Sequence, residues 1–248
     1  MRETDIKAAL IDHLRSMGEI KRGASLISEL AIGMQSNRVD LTLVDDRIHH
    51  FEIKSAFDSL SRLDDQINSY LKCSDLVTLA VSTRHLNAAI SRIPESVGVL
   101  EITTFDATSP IKKVREPAKS PNIENSAMLE IMPVEAIKEH FQLSDRSLRR
   151  ADLPDAFKDV DVMHVKHRLT KFLHNRYGPS TRSFLRKVRG RAIKRDDLDI
   201  LRLWSAERSS ICKDNFDASY EDMDRMVFAS IGESFGPIPD YIRSEIES

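Results

Sequence analysis

The order of hydrophobic periods along the chain constrains its fold more than any other feature of the sequence. Apolar residues recur at helical spacing from about Glu3 to Met17, and Gly18 stands where such a helix would end. The spacing then changes to that of strands in three consecutive segments, Ser25 to Ile32, Arg38 to Val44 and Ile48 to Ser55. Because only short turns separate these segments, we expect them to pair as a meander.

The segments that follow alternate between helix and strand. We predict a helix from Ser61 to Cys73, a strand from Leu76 to Ser82, a short helix from Leu86 to Ile93 and a strand from Val97 to Thr103. The first of these strands is almost continuously apolar, which is typical of a strand covered on both faces. The proline-rich stretch from Ala107 to Asn122 is either a linker or an irregular final strand. This order predicts an α/β fold with a mixed central sheet flanked by helices.

Every periodic segment beyond residue 122 is helical. The predicted helices are Met128 to Phe141, Ser144 to Arg150, Val162 to Tyr177, Thr181 to Val188, Asp196 to Ala206 and Glu221 to Ser230. We therefore predict two domains, an α/β core over residues 1–122 and an all-helical domain over residues 123–248.

Composition restricts the class of protein. The 248 residues are 31% charged and 41% hydrophobic, as in an ordinary globular protein of the cytoplasm. No apolar run approaches the roughly 20 residues of a membrane-spanning helix, and the first residues lack the apolar centre of a secretory signal. Cys73 and Cys212 fit no metal-ligand spacing and are interpreted as buried free thiols. We therefore expect a cytoplasmic protein with no membrane partner.

Charge is segregated along the chain. Residues 1–145 carry a net charge of −5, residues 146–195 carry +11 and residues 196–248 carry −8. The basic block predicts a surface that binds the phosphates of a nucleic acid. The alternative is a basic helical face that pairs with the acidic residues of the last third. Charge alone favours neither interpretation, so function has to be argued from particular residues.

Two predicted strands carry the residues that suggest chemistry. Glu52 and Lys54 are two apart on one strand, so their side chains project from the same face. Asp40 lies on the preceding strand, and a tight turn joins the two strands, so the hairpin can bring Asp40 beside Glu52. Two converging carboxylates repel each other, and a divalent cation relieves that repulsion. Oxygen ligands with open positions for water and phosphate suit Mg²⁺ or Mn²⁺.

The next helix and the first strand add polar side chains to this group. Gln66 and Tyr70 are four apart, so one helical face carries both. Such a pair is suited to holding a phosphate or a nearby base. Glu29 on the first strand offers a third carboxylate, either as a metal ligand or as a solvent-facing strand residue.

Together these residues resemble the PD-(D/E)XK nuclease superfamily. Asp40, Glu52-Ile53-Lys54 and Gln66-x-x-x-Tyr70 match its spaced motif, and the glutamine–tyrosine pair is typical of its RecB-like branch. The longer pattern is similar to a bacterial family of mostly uncharacterised proteins, known by a locus label, that is assigned to the same fold. The resemblance covers about residues 3–118. It departs from the superfamily in one place, since Val39 replaces the proline before Asp40.

The resemblance implies a restriction-endonuclease-like fold and a metal-dependent site. Asp40, Glu52, the carbonyl of Ile53 and, in the related bacterial pattern, Glu29 would hold one or two Mg²⁺ or Mn²⁺ ions. Lys54 would orient the attacking water or stabilise the charge that develops on the phosphate.

The remaining predicted site residues position or bind the substrate. Gln66 would act in catalysis by orienting Lys54 or the substrate. The expected substrate contacts are Tyr70, Arg38 and His85, of which His85 follows the fourth predicted strand. His49 and His50 stand beside a turn and are interpreted as solvated edge residues rather than metal ligands.

The predicted function is divalent-metal-dependent hydrolysis of phosphodiester bonds in DNA, with RNA as the second substrate class. The α/β core would cut, and residues 146–195 would bind phosphates. DNA repair, defence and toxin activity are all compatible settings that the sequence does not separate. The alternative is a non-catalytic nucleic-acid-binding or structural module on a nuclease fold, because a fold alone does not fix activity.

Overall fold

One mixed sheet of six strands forms the centre of the part that the computed structural model describes, residues 2–33, 37–103, 110–144 and 147–202. The strands are β1 (Ser25–Ile32), β2 (Asn37–Val44), β3 (Ile48–Lys54), β4 (Leu76–Ser82), β5 (Gly98–Ile102) and β6 (Ile111–Arg115). Their order across the sheet follows the sequence. The first three pair antiparallel, β3 to β5 run parallel, and β6 returns antiparallel to β5. The predicted meander is therefore confirmed, and the stretch from Ala107 to Asn122 contains a strand.

Helices cover both faces of this sheet. Within the described residues they are α1 (Glu3–Ser16), α2 (Leu63–Leu71), α3 (Leu86–Ile90), α4 (Asn125–Leu129), α5 (Val134–His140), α6 (Leu153–Ala156), α7 (Val162–Lys187) and α8 (Asp199–Arg202). On one face of the sheet, called the α1 face because α1 covers it, Leu10 and Ile11 of α1 pack in the same core as Phe51 of β3. The opposite face buries Ile67 of α2 against Leu79 of β4. None of these helices is long and apolar enough to cross a membrane.

The helices that follow residue 122 pack on the sheet through an apolar core and a buried ion pair. Leu169 of α7 belongs to the same hydrophobic core as Val77 of β4. Asp75 accepts a hydrogen bond from Ile48 N at 2.8 Å, and its other oxygen lies 2.7 Å from Lys166 Nζ of α7. The hydrophobic core of the described residues therefore continues across the boundary predicted near residue 122.

Several helical predictions for this region differ from the structure. Pro133 divides the predicted helix from Met128 to Phe141 into α4 and α5, because proline cannot donate a helical hydrogen bond. The described residues from Ser144 to Arg150 form no α-helix, and a single 3₁₀ turn begins at Arg150. The helix predicted from Asp196 is a 3₁₀ turn followed by α8, and everything beyond Arg202, including the helix predicted from Glu221 to Ser230, lies outside the described residues.

A single helix, α7, replaces the two that were predicted on either side of Gly178 and Pro179. Gly178 is buried close to Ser25 of β1. One turn later, Thr181 Oγ1 accepts a hydrogen bond of 2.9 Å from Leu26 N of β1. Contacts with the edge strand therefore hold both halves in one helix, although proline removes a hydrogen bond from its interior.

Side chains stop alternating regularly between the two faces of the sheet at one place in β1 and one place in β2, and these two places lie next to each other. Leu26 belongs to the core on the α1 face, whereas Leu30, an even number of residues away, belongs to the opposite core. Between them, Glu29 has a φ of 60°, which is rare for a residue with a side chain. Val39 and Leu41 of β2 also lie in different cores, although the regular alternation of a strand would place both in the same one. This break lies next to the cavity described below.

Candidate active site

A polar cavity of about 190 Å³ lies where β2 separates from β3. Its wall consists of Glu3, Arg38, Asp40, Glu52, Ile53, Lys54, Asp58, Arg62 and Gln66. Every residue predicted to be catalytic is part of this wall. The strand residues Asp40, Glu52 and Lys54 and the helix residue Gln66 therefore line the same cavity.

The parting of two strands sets the two central carboxylates facing each other. The pairing of β2 with β3 ends at Leu41 and Phe51. The next positions in the same register are Asp40 and Glu52, so they stand across from each other where the strands part. Asp40 Oδ2 accepts a hydrogen bond of 2.6 Å from Ile53 N, which fixes the carboxylate of β2 against the backbone of β3.

Lys54 is held between a carboxylate and an amide. Its Nζ donates to Glu52 Oε1 at 2.6 Å and to Gln66 Oε1 at 2.8 Å. The hydroxyl of Tyr70 lies 2.8 Å from Glu52 Oε2 and 3.1 Å from the carbonyl oxygen of Arg38, so it donates its one proton to either. Tyr70 is fully buried, which places it behind Glu52 and not on the cavity wall, where a substrate contact was predicted.

Burial shifts the protonation of the two acids. It raises the pKa of Asp40 to about 8, and the neighbouring charge of Glu52 adds to that rise. Burial also raises the pKa of Glu52, while Lys54 and the neighbouring polar side chains of Tyr70 and Gln66 oppose the rise. At neutral pH the pair therefore binds a proton that separated, solvated carboxyls would release.

The donor set fits a hard divalent cation. Asp40 Oδ1 has no hydrogen-bond donor among the described residues, and each oxygen of Glu52 keeps a free lone pair after one hydrogen bond. Burial and the charge of Glu52 raise the pKa of Asp40, so additional positive charge would favour the ionised pair. Mg²⁺ or Mn²⁺, bound by Asp40, Glu52 and the carbonyl of Ile53, would supply that charge in the coordination chemistry that both ions prefer.

Glu29 belongs to a second group of acids beside Asp40. Carboxylate oxygens of Glu3, Glu29 and Asp40 lie within 4.8 Å of one another. The side chain of Lys7 on α1 is fully buried, donates to Glu29 and lies 3.5 Å from Glu3 Oε1. Lys7 therefore supplies positive charge to these acids from the protein itself, and Glu29, which was predicted as a metal ligand, is paired with it.

Two arginines line the cavity on its solvent side. The side chains of Arg38 and Arg62 are exposed and have no charged partner among the described residues. Guanidinium groups bind phosphate oxygens through paired hydrogen bonds. The cavity therefore joins an acidic interior to a cationic rim, as a site for a phosphate held against a metal ion requires.

His85 is a predicted site residue that lies outside the cavity wall, as do Tyr70 and Glu29. It ends a short 3₁₀ turn after β4, and its Nε2 is buried without a hydrogen-bond partner among the described residues. It does not line the cavity. The structure therefore does not bring His85 together with the predicted ligands and Lys54.

Neither His49 nor His50 is a solvated edge residue, so that prediction is wrong. His50 is fully buried, and its Nδ1 lies 2.9 Å from Thr42 Oγ1. His49 Nε2 lies 2.8 Å from Thr78 Oγ1. Burial lowers the pKa of both histidines to about 3. The reason is the position of β3, which pairs with strands on both sides and is covered by helices on both faces.

Four residues of the site were missed from the sequence. Glu3 and Lys7 lie on the first turns of α1, far in sequence from the motif, and only tertiary packing brings them to Asp40. Asp58 and Arg62 follow the Glu-Ile-Lys strand within eight residues, and this closeness was a usable signal. Polar residues in the loop after a catalytic strand face the same edge of the sheet.

Comparison with known proteins gives a family for nearly the whole described chain. The family model described as bacteriophage P4 protein cII matches residues 1–202. Protein cII of Enterobacteria phage P4 is 24% identical over 255 aligned positions, which cover 99% of this chain and 96% of that protein. No solved structure gives a significant match. The matched residues include every described strand and every residue of the cavity wall.

Proposed function

We propose that this chain, which belongs to the bacteriophage P4 protein cII family, is a divalent-metal-dependent nuclease with the fold of the PD-(D/E)XK superfamily. The element order supports this proposal, because a helix, three antiparallel strands, a second helix and a parallel fourth strand carry the motif. Asp40 stands at the end of the pairing of the second strand, and Glu52 and Lys54 stand on the third.

One observation carries the proposal. Lys54 Nζ lies 2.6 Å from Glu52 and 2.8 Å from Gln66, in the same cavity as Asp40. A purely structural salt bridge requires only Lys54 and a carboxylate. It does not require a second, half-buried carboxylate whose pKa is raised to about 8 and a pair of exposed arginines at the rim. Together these groups match what phosphodiester hydrolysis needs.

Five residues of the wall have a place in the proposed reaction. Asp40, Glu52 and the carbonyl of Ile53 would hold the metal, which would acidify water and offset charge on the phosphate. Lys54 donates a hydrogen bond to the attacking water or to the phosphate oxygen that gains charge. Water adds to phosphorus and the leaving oxygen departs with a proton, so no covalent bond to the protein forms. Gln66 holds the ammonium of Lys54 in position.

The cationic surface supports a nucleic acid as substrate. At the cavity, Arg38 and Arg62 are placed to bind the oxygens of the phosphate that is cut and of its neighbour. Elsewhere, Arg182 and Arg186 are exposed four residues apart on α7, and Arg189 is exposed just after its end. These three have no charged partner among the described residues, so they add to a surface for phosphates.

The proposal is tested by assaying single-stranded, duplex and branched DNA and RNA with Mg²⁺, Mn²⁺ and EDTA. We expect cleavage that EDTA abolishes. Glu52→Gln and Lys54→Met should each reduce the rate at least about 100-fold, because each removes a group that acts on the reacting phosphate or its metal.

Matched controls separate chemistry from stability. Asp64→Asn and Lys72→Met remove an acid and a lysine whose ion pairs, with Arg92 and Glu124, lie on the surface. Both control variants should cleave like the wild type. Cleavage by Glu52→Gln and Lys54→Met at the wild-type rate would refute the proposal. If the wild-type protein bound DNA but hydrolysed it with none of the metals, the result would support a non-catalytic nucleic-acid-binding module instead.

A further inference from the structure

Phe57 is an exposed aromatic side chain that the proposed reaction does not use. Its side chain is 81% exposed, the highest fraction among the large hydrophobic residues of the described chain. The ring contributes to neither hydrophobic core. Because the fold does not bury this ring, its faces are available to a ligand.

The turn that carries Phe57 is fixed by hydrogen bonds on both sides of the ring. Ser55 N donates to Asp58 Oδ2 at 2.7 Å, and Phe57 N donates to Ser55 Oγ at 3.3 Å. Arg84, from the turn after β4, donates to the carbonyl of Ala56 at 3.0 Å. The backbone of Phe57 is therefore held in place while its side chain points into solvent, so little conformational entropy is lost when the ring meets a ligand.

This turn lies directly beside the cavity. Lys54, three residues before Phe57, and Asp58, the next residue, both line the cavity wall. Consecutive Cα atoms are about 3.8 Å apart, so the Cα of Phe57 lies about that far from the Cα of Asp58, a residue of the cavity wall. Arg62, which also lines the wall, is exposed five residues later.

We infer that Phe57 stacks on a nucleobase next to the phosphate that is cut, and that this base must be unpaired. The inference rests on the proposed function and names its substrate class as single-stranded DNA, or strand ends and branches with unpaired bases. An aromatic ring beside exposed guanidinium groups is the combination with which proteins hold single strands. In a duplex both faces of each base are stacked, so the same contact would require unstacking.

Binding to a single strand that carries 2-aminopurine tests this inference. The titration uses Ca²⁺ and the Lys54→Met background, so that the strand is not cut, and reads both anisotropy and the quenching of 2-aminopurine by stacking. Phe57→Leu keeps the apolar size but removes the ring. We expect it to weaken single-strand binding about tenfold and to abolish the quenching, with duplex binding unchanged. Phe57→Trp should bind as tightly as Phe57.

The controls separate this inference from the proposed function and from a protein contact. Met163→Leu changes another exposed apolar side chain, 56% exposed on α7, and should change neither signal. The inference is overturned if Phe57→Leu binds the single strand as tightly as the protein with Phe57 and quenches 2-aminopurine equally. It is also overturned if Phe57→Leu changes the oligomeric state and leaves DNA binding unchanged. Stacking that depends on Phe57 in a protein that never cleaves DNA supports the base contact and refutes only the nuclease proposal.

Discussion

Asp40 and Glu52 show how a confined setting changes the protonation of two ordinary acids. Glu52 is buried and Asp40 is half-buried beside it. Burial raises the pKa of both carboxyls, and the charge of Glu52 adds to the rise at Asp40. Lys54 bonds Glu52 and Lys7 bonds Glu29, which leaves Asp40 with a backbone N–H as its one described donor. Under the proposed function, a divalent ion would relieve the repulsion between the two acids, which costs stability while the ion is absent.

The raised pKa of Asp40 predicts how stability depends on pH. Because the folded protein holds this proton up to about pH 8, and the unfolded chain releases it near 3.8, the stabilising effect of protonation is complete below pH 4 and is lost as pH rises to 8. In EDTA, the free energy of unfolding in urea should fall by up to about 1.4 kcal/mol per pH unit relative to Asp40→Asn. Mg²⁺ should flatten this difference.

The exposed Asp64→Asn variant is the control for that measurement, since Arg92 lowers the pKa of Asp64 and leaves nothing to titrate between pH 5 and 8. Parallel pH profiles for the wild type and Asp40→Asn would show that Asp40 is ionised in the folded protein at neutral pH. That result would contradict the electrostatic account of the site.

At the scale of single residues, the sequence predicted the side chains that follow a strict period. Glu52 and Lys54 share a strand face, and Gln66 and Tyr70 share a helix face, so a short pattern places each pair. It did not predict Lys7, because nothing in the first helix indicates which strand it will meet. Nor did it predict the burial of Tyr70, which depends on how closely α2 approaches β2 and β3.

At the scale of elements, the strands were predicted more accurately than the helices. Apolar strands between turn residues have few alternatives, so β1 to β5 were placed within about two residues at each end. Gly178 and Pro179 predicted a break that contacts between α7 and β1 override. The positive φ of Glu29 has no sequence signal at all, since a glutamate in a strand pattern predicts a regular strand.

Two glycine-to-alanine substitutions test this description of the elements. At Gly178, within α7, a Cβ would meet the flexible end of Arg182 at 3.3 Å and Ser25 Oγ at an ordinary contact distance of 3.6 Å. Alanine there should raise the free energy of unfolding by about 0.5–1 kcal/mol through helix propensity. At Gly98, in β5, a Cβ would lie 2.9 Å from Pro117 N and 2.8 Å from Thr78 Oγ1. Alanine at Gly98 should lower the free energy of unfolding by about 1–3 kcal/mol.

Urea unfolding of the two variants side by side provides the comparison, because the chemical change is the same and only the surroundings differ. Opposite signs are expected. A loss of stability at Gly178 as large as at Gly98 would mean that α7 leaves less room for a Cβ beside β1 than the structure shows.

At the scale of the whole molecule, the basic residues between positions 146 and 195 fall into two groups. Some form ion pairs within the fold, since Arg191 and Lys187 pair with Asp197 and Arg195 pairs with Asp5. Exposed arginines such as Arg182 have no such partner among the described residues. The charge count of +11 therefore overstated the surface available to phosphates, and only tertiary structure shows which basic residues are already paired.

The central claim, that Asp40 and Glu52 together hold a divalent cation beside Lys54, is tested most directly by calorimetric titration of the protein with Mn²⁺ at pH 7. Repeating the titration in buffers of different ionisation enthalpy measures the protons released. The wild type and Asp64→Asn should bind Mn²⁺ with release of protons, because Asp40 must ionise. Glu52→Gln should bind at least about tenfold more weakly. Binding by Glu52→Gln equal to that of the wild type, or no binding by the wild type, would contradict the claim.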